Sequence, residues 1–255
     1  SFLDQCMVDR VFGSAGDSII IEECLVGQEL SVFTFTDGEY FTPLVAATDY
    51  KRAYDADLGP NTGGMGSYSP PDLWTPQLAH QIQEDIIRPT LRALQKEGCS
   101  YSGVLYAGLM ITTQGPSVLE FNCRLGDPET QVVLPRLQTD LMDIILGVLH
   151  GNLDTINVGW SESTCVGVVL AADGYPGNYA KGKRITRIPL NSNLDTLVFH
   201  AGTAISDNGM VTTGGRILTV VGSGQDKHIA RKKAYHALEN ISFEGTFYRS
   251  DIAAS

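Results

Sequence analysis

Apolar positions recur along the chain in two rhythms, one of period two and one of three to four, interleaved without regular alternation. Leu3, Met7, Val8 and Val11 fall at helical spacing and predict an opening helix, followed by a turn over Gly13 to Asp17. Ile19-Ile20-Ile21 is β-branched and predicts a strand running into Glu22-Glu23. Leu30 to Phe35 and Tyr40 to Val45 read as two strands of a hairpin joined at Asp37-Gly38. Ala46 to Pro71 is rich in Gly, Pro, Asn and Asp and reads as a long loop, a length that usually accompanies function. Thr75-Pro76 supplies an N-cap and a first-turn proline for a helix expected to kink at Pro89 and stop at Gly98. Gly103 to Thr112 and Ser117 to Asn122 read as strands. Thr139 is the expected cap of a helix whose Leu141, Ile144, Ile145, Val148 and Leu149 form one core-facing stripe.

The polar segment Gly151 to Ser163 is the best boundary, giving units at about 1–151 and 160–255. Beyond it strands are expected at Cys165–Ala172, Leu197–His200 and Arg216–Val221, and a helix from Asp226 to Asn240. This irregular mixture favours an α+β fold.

Composition narrows the function. Of 255 residues 43% are hydrophobic and 18% charged, ordinary for a globular protein with a sizeable core. Net charge is 18 − 29 = −11, which disfavours nucleic acid and anionic membrane as partners. No run of about 18 apolar residues spans a membrane. Five scattered cysteines without a C-x-x-C pair argue against a disulfide framework or a zinc site and fit a cytoplasmic location.

Candidate chemistry concentrates in Leu119-Glu120-Phe121-Asn122-Cys123-Arg124. Strand alternation puts Glu120 and Asn122 on one side and Leu119 and Phe121 on the other, free to bury. A carboxylate and an amide oxygen make an all-oxygen site suited to Mg²⁺ shared with phosphates, and the guanidinium of Arg124 suits a transferring phosphoryl group. The bland alternative for an isolated E-x-N-x-R is a strand with one solvated face.

The run continues to Gln131 as LEFNCRLGDPETQ, which resembles the signature of glycinamide ribonucleotide synthetases, ligases of the ATP-grasp class. The likeness extends along the chain. Ile21 to Glu29 resembles the family's hinge strand, and Asp49-Tyr50-Lys51-Arg52 followed by PNTGGMG (60–66) resembles its substrate loop, although the family more often has His at the position of Tyr50. Gly174 to Gly177, Val198 to Thr203 and Gly214-Gly215-Arg216 are similar to its C-terminal domain.

The resemblance implies a partial ATP-grasp fold, comprising the hinge strand and the metal-site half, followed by a small α/β C-terminal domain. It implies that Glu22, Glu23 and Leu25 meet adenine and Glu29 the ribose hydroxyls. Glu120 and Asn122 would hold Mg²⁺ or Mn²⁺. Arg124, Asp127 and Lys51 would act on the phosphoryl group and on glycine, beside the loop Asn61, Thr62, Gly63, Gly64 and Met65. The implied reaction joins glycine to 5-phosphoribosylamine at the expense of ATP, in purine biosynthesis. The chain opens without Met just before the hinge strand, so an N-terminal portion of the same enzyme is the expected missing partner, and the chain alone is expected to be inactive. Two rivals are another ATP-grasp carboxylate–amine ligase and a non-catalytic module of a multifunctional purine-pathway protein. His200 beside Phe199 reads as structural. Lys227, Arg231, Lys232 and Lys233 read as a solvated helix face.

Overall fold

The structure is a computed structural model and describes residues 1–186, 195–207 and 209–254. Its first strands are β1 (Gln28–Thr36), β2 (Val45–Asp49), β3 (Arg52–Tyr54), β4 (Leu58–Asn61) and β5 (Gly66–Ser69). Helices α1 (Pro76–Ile82) and α2 (Arg88–Lys96) precede β6 (Gly103–Thr112) and β7 (Gly115–Asn122). The short α3 (Thr130–Val133) and α4 (Leu141–His150) lead to β8 (Thr164–Ala172), β9 (Thr196–His200), β10 (Thr203–Ser206) and β11 (Gly209–Thr212). The chain closes with β12 (Arg216–Gly224), α5 (Lys227–Leu238) and β13 (Thr246–Phe247).

Among the described residues one nine-stranded antiparallel sheet runs β7-β6-β1-β2-β5-β8-β12-β9, with β13 beside β8. The polar stretch from Gly151 to Ser163 therefore lies between elements that share a sheet. The join is β5 against β8, with Gly66 opposite Val168 and Ser69 opposite Cys165. On one face, Leu30, Val32, Leu105, Ala107 and Leu109 of β1 and β6 bury Ile82, Ile86, Ile87 and Leu91 of the α1–α2 run. On the other, Phe33, Val45 and Tyr106 pack against Val132 and Val133 of α3. The period-two alternation of β1 makes both faces buried. α5 lays Ala230, Ala234 and Leu238 on β8 and β12. It approaches closely because Gly222 has no side chain: a Cβ there would stand 2.5 Å from the Ala234 amide nitrogen.

Several expectations need correction. The opening helix is a single turn, Asp4–Val8, that buries only Cys6 and leaves Leu3, Met7, Val8 and Val11 exposed. The hinge segment from Ile19 to Val26 is not a strand, because no strand among the described residues runs beside it to pair its amides and carbonyls. β2 begins only at Val45, opposite Phe33, so the hairpin connection is longer than two residues, with the Asp37 carboxylate accepting from the amides of Glu39 and Tyr40. The supposed long loop holds β2, β3, β4 and β5. The helix passes Pro89 through a widened turn at Gln83–Ile87, which accommodates the missing amide. Asp140, not Thr139, caps α4, accepting from Met142 N at 2.8 Å; Thr139 accepts from Gly159 instead. The buried stripe of α4 is narrower than expected: Ile144 is buried, whereas Ile145 and Leu149 face outward.

Candidate active site

β7 is the edge of the sheet, and its register carries an irregularity: Glu120 lies opposite Gly108 but Val118 opposite Leu109, leaving Leu119 as the extra residue of a bulge. Bulges re-aim side chains, and edge strands lack a second neighbour to cover them. Leu119 and Phe121 accordingly stay partly exposed rather than burying. Glu120 and Asn122 do share a side, and the Asn122 amide nitrogen donates to Glu120 Oε1 at 3.1 Å. Gly108 leaves room for Glu120; a Cβ there would be 3.1 Å from Glu120 Cγ.

Three cavities that share Asp49 and Lys51 form one cleft, and Glu120 borders two of them. One of about 230 Å³ is bordered by Glu120, Asn122, Arg124, Asp127, Glu129 and the Thr62–Gly63 turn. Another of about 210 Å³ lies between Glu29, Ser31, Tyr106 and Glu120. The third, about 600 Å³, reaches Gln28, Glu29, Asn61 and Asp72. Asp49 and Lys51 line all three. Asp49 closes β2 and Lys51 lies two residues beyond it, and this i, i+2 spacing in extended chain puts them on one side.

The charges of the cleft are mostly paired. Lys51 Nζ meets Glu29 Oε2 at 2.9 Å. Burial alone would lower the Lys51 ammonium, but the bond to Glu29 and neighbouring charge outweigh it and hold it raised. Glu129 is buried beneath the cleft and accepts from the Ser31 hydroxyl at 2.8 Å, and burial pushes its carboxyl up. Asp49 is pushed well up by burial and then by the Glu129 charge, while Lys51 and Arg216 pull it back. Its Oδ1 is buried without a hydrogen-bond partner. Arg124 sits exposed at the mouth, its Nη1 donating to the Leu125 carbonyl at 3.0 Å.

The glycine-rich loop is held from below and above. Thr62 Oγ1 donates to the Lys51 carbonyl and accepts from Gly64 N, and the Gly63 amide donates to the Tyr175 hydroxyl. Met65 is fully buried, its amide donating to the Tyr50 carbonyl. Asn61 lies exposed at the rim. Arg216, from the distant β12, donates to the carbonyls of Gly63 and Asp127 and forks onto the Asp127 carboxylate at 3.2 and 2.9 Å. The Gln131 amide also donates to Asp127, at 3.0 Å.

Glu120, Asn122, Arg124, Asp127, Lys51, Glu29 and the Asn61–Gly63 part of the loop are thus brought together; Gly64 and Met65 are buried behind it, and Met65 has its amide and carbonyl bonded to Tyr50 and Val169. Glu22, Glu23 and Leu25 are not: none of them borders these cavities, and Glu22 and Glu23 are exposed. Sequence reasoning gave no role to Asp49, Glu129 or Arg216. A carboxylate closing the apolar run Val45-Ala46-Ala47-Thr48 was a usable signal for Asp49; nothing local linked Arg216 to a partner 89 positions away.

Two sequence profiles match the chain: phosphoribosylglycinamide synthetase, ATP-grasp (A) domain, over residues 1–130, and phosphoribosylglycinamide synthetase, C domain, over 165–255. The chain belongs to the phosphoribosylglycinamide synthetase family. It is 48% identical over 252 residues to a phosphoribosylamine–glycine ligase of Caldanaerobacter subterraneus, covering 99% of this chain and 60% of that protein. It is 47% identical over 251 residues to the trifunctional purine biosynthetic protein adenosine-3 of Gallus gallus, covering 98% of this chain and 25% of that one. The chain therefore spans at most about 60% of the length of these relatives. The crystal structure of a phosphoribosylamine–glycine ligase from Thermotoga maritima superposes with a TM-score of 0.78 at 41% identity, covering 91% of this chain and 57% of that chain. The biotin carboxylase domain of a 2-oxoglutarate carboxylase, 14% identical with a TM-score of 0.68 and covering 96% and 54%, shares the fold alone.

Other expectations resolve within this family frame. His200 is exposed and pairs with the Thr203 hydroxyl at 3.1 Å, outside the cleft. The α5 cations are not simply solvated: Lys227 pairs with Asp72, Lys233 with Asp195, and Arg231 donates to the carbonyls of Ile252 and Ser250. Among the described residues no helix is long and apolar enough to cross a membrane.

Proposed function

We propose that this chain carries the metal and acyl-phosphate half of a phosphoribosylamine–glycine ligase of purine biosynthesis. The observation that carries the reading is Glu120 and Asn122 on one face of a cleft that also holds Lys51 and Arg124, in a chain of this family. Glycine's carboxylate oxygen attacks the γ-phosphorus of ATP, ADP leaves, and glycyl phosphate forms. The amine of 5-phosphoribosylamine then attacks the acyl carbon, the carbon–oxygen bond to phosphate breaks, and the nitrogen loses a proton. The products are glycinamide ribonucleotide, ADP and phosphate.

The donor set fits Mg²⁺ or Mn²⁺: one carboxylate and one amide, adjacent, hard and free of thiolate or imidazole. Asn122 must turn its amide so that Oδ1 rather than the nitrogen faces Glu120. When bound, the cation neutralises phosphate charge. Lys51 and Arg124 contribute positive charge to the phosphoryl group and the acyl phosphate, chemistry that rests on positioning and needs no covalent nucleophile. The unpaired backbone of Glu23 to Leu25 has donors and acceptors to offer an adenine edge, with Glu22 beside it, and Glu29, on the wall of the cleft, would accept from the ribose hydroxyls. Asp127 is spent on Arg216, so its work is to fix the Asn61–Met65 turn for the substrates. Free thiols at all five cysteines support a cytoplasmic setting. The test is ADP formation dependent on both glycine and phosphoribosylamine, in the complete natural polypeptide that carries these residues. Loss of it in Glu120→Ala is the expected result; full activity in that variant would refute the site.

A further inference from the structure

The carboxylates around the cleft differ in what they have left to give. Glu29 is paired with Lys51, Glu120 accepts from Asn122, Asp127 is forked by Arg216 and held by Gln131, and Glu129 accepts from Ser31. Asp49 alone among these has an oxygen, Oδ1, that is buried and without a donor. Two other buried side-chain oxygens share that condition among the described residues, Ser67 Oγ and Gln131 Oε1. Asp49 and Ser67 are register partners across β2 and β5, and α3, which carries Gln131, packs against both strands. One corner of the fold therefore holds three orphaned oxygens, two of them acceptors only, and Asp49 is the member that borders the cleft. Buried acceptors without donors are costly, and in a binding site they mark where a ligand supplies hydrogens. The missing chemistry is a compact cation with several N–H groups.

We propose that Asp49 is the residue that receives the α-ammonium of the amino-acid substrate, and that it sets the preference for an amine over a hydroxyl at that position. The proposal rests on the ligase reading above. It moves the ammonium away from Asp127, whose negative charge Arg216 already matches. The loop geometry agrees: Gly64 lies over Asp49 with φ +105°, and a Cβ there would sit 2.7 Å from Asp49 Oδ1 and collide with Pro128. The bare glycine lets the loop close on the carboxylate, and Asp49 still lines the cleft.

The experiment compares glycine with glycolate, which keeps the carboxylate and replaces the ammonium by a hydroxyl. Both are assayed for ATP-dependent ADP formation in the complete natural polypeptide, wild type, Asp49→Asn and Asp127→Asn, with MgADP affinity as a folding control. In wild type, glycine is expected to be preferred by 100-fold or more in kcat/KM, since a site built to pair a charged group rejects an analogue lacking it by large factors. Asp49→Asn should raise the glycine KM at least 30-fold, leave the phosphoribosylamine KM and MgADP affinity within about threefold, and cut the glycine preference below tenfold. Asp127→Asn should keep the preference. An unchanged preference in Asp49→Asn with MgADP binding intact overturns the proposal, as does a KM change confined to phosphoribosylamine. Absence of glycine-dependent turnover in wild type would instead strike the ligase reading itself.

Discussion

Two clusters of carboxylates and cations lie on either side of one short segment, Asp49 to Arg52, and they are finished to different degrees. On the cleft side stand Asp49 and Lys51, with an orphaned oxygen on the first. Tyr50 and Arg52, which also border the largest of the three cavities, meet a strap formed by residues 249–253. There Arg249 is 1% exposed and donates to both oxygens of Asp251 at 2.7 and 2.8 Å, to Asp57 at 2.8 Å and to the Arg52 carbonyl at 3.1 Å, with its guanidinium 5.0 Å from the Tyr50 ring. Asp251 also accepts from Ala56 N, and Asp55 from Ser250 N. Each charged group of the strap and of the loop it grips has a hydrogen-bond partner in place, which is what a cluster needs when its task is to hold β3 and β4 in register. The cleft leaves the Asp49 acceptor without a donor because its counter-charge arrives with substrate. A buried cluster that is satisfied points to structure, and one that is short of donors points to a ligand.

The sharpest way to break this contrast is to remove Arg249. Arg249→Met leaves the half-buried Asp251, the exposed Asp57 and the Arg52 carbonyl without their donor, and losing these charge-assisted hydrogen bonds is expected to cost about 1.5–3 kcal/mol. Urea unfolding should show that loss; a change near zero would mean the strap holds nothing. The Arg249 hydrogen bond keeps the Asp251 carboxyl below its usual range, with a further contribution from Ala56 N. A depressed native value means stability is present above the unfolded carboxylate range and is lost as pH falls through the native one. The wild type should therefore weaken on acidification below about pH 4, the model-peptide range, and Arg249→Met should weaken less steeply.

Glu120→Gln inverts the pattern. Glu120 is exposed and its one bond is to Asn122, so unfolding stability should move by less than about 0.5 kcal/mol. Mg²⁺-dependent nucleotide affinity should nonetheless fall by about 100-fold, measured by calorimetry with and without the metal. A stability loss matching that of Arg249→Met would erase the distinction between the clusters. Gly64→Ala lies between them. Its φ of +105° is strained for any side chain, and the added Cβ meets Asp49 and Pro128, so a cost of about 2 kcal/mol is expected, together with a raised glycine KM.

How much of this was legible in the sequence follows the same division. β6, β8 and α5 were readable because long apolar periodicities are set by the core they face, and Glu120 with Asn122 because i, i+2 spacing survives even on a bulged edge strand. The region Ala46–Pro71 misled because β3 and β4 are three and four residues long and rich in turn-forming residues. They are held by Arg249 from the far end of the chain, a constraint that no local window contains. Arg216 was hidden for the same reason. The hinge segment failed in the other direction: Ile19-Ile20-Ile21 has strong strand propensity, but propensity without a partner for its backbone makes no strand.

The smallest effect is expected at Tyr50, and it tests whether this position, which borders both, serves the strap or the cleft. The Tyr50 hydroxyl accepts from Ala253 N at 3.1 Å, and Ala253 is buried. Tyr50→Phe keeps the ring under Arg249 but strands that amide, costing about 1 kcal/mol. Burial pushes the phenols of Tyr50 and of Tyr235, which accepts from Ile252 N in the same strap, up to about 12. The unfolded phenol ionises near 10, so the native state holds its proton longer. Stability should be level below about pH 10 and decline as pH rises from there toward about 12, because the unfolded chain gains by ionising first. Tyr50→Phe removes one of these raised phenols and should give a shallower decline from a lower starting point. Urea midpoints between pH 8 and about 11 read both changes. A glycine KM that moves in Tyr50→Phe while the alkaline slope stays as in wild type would assign Tyr50 to the cleft.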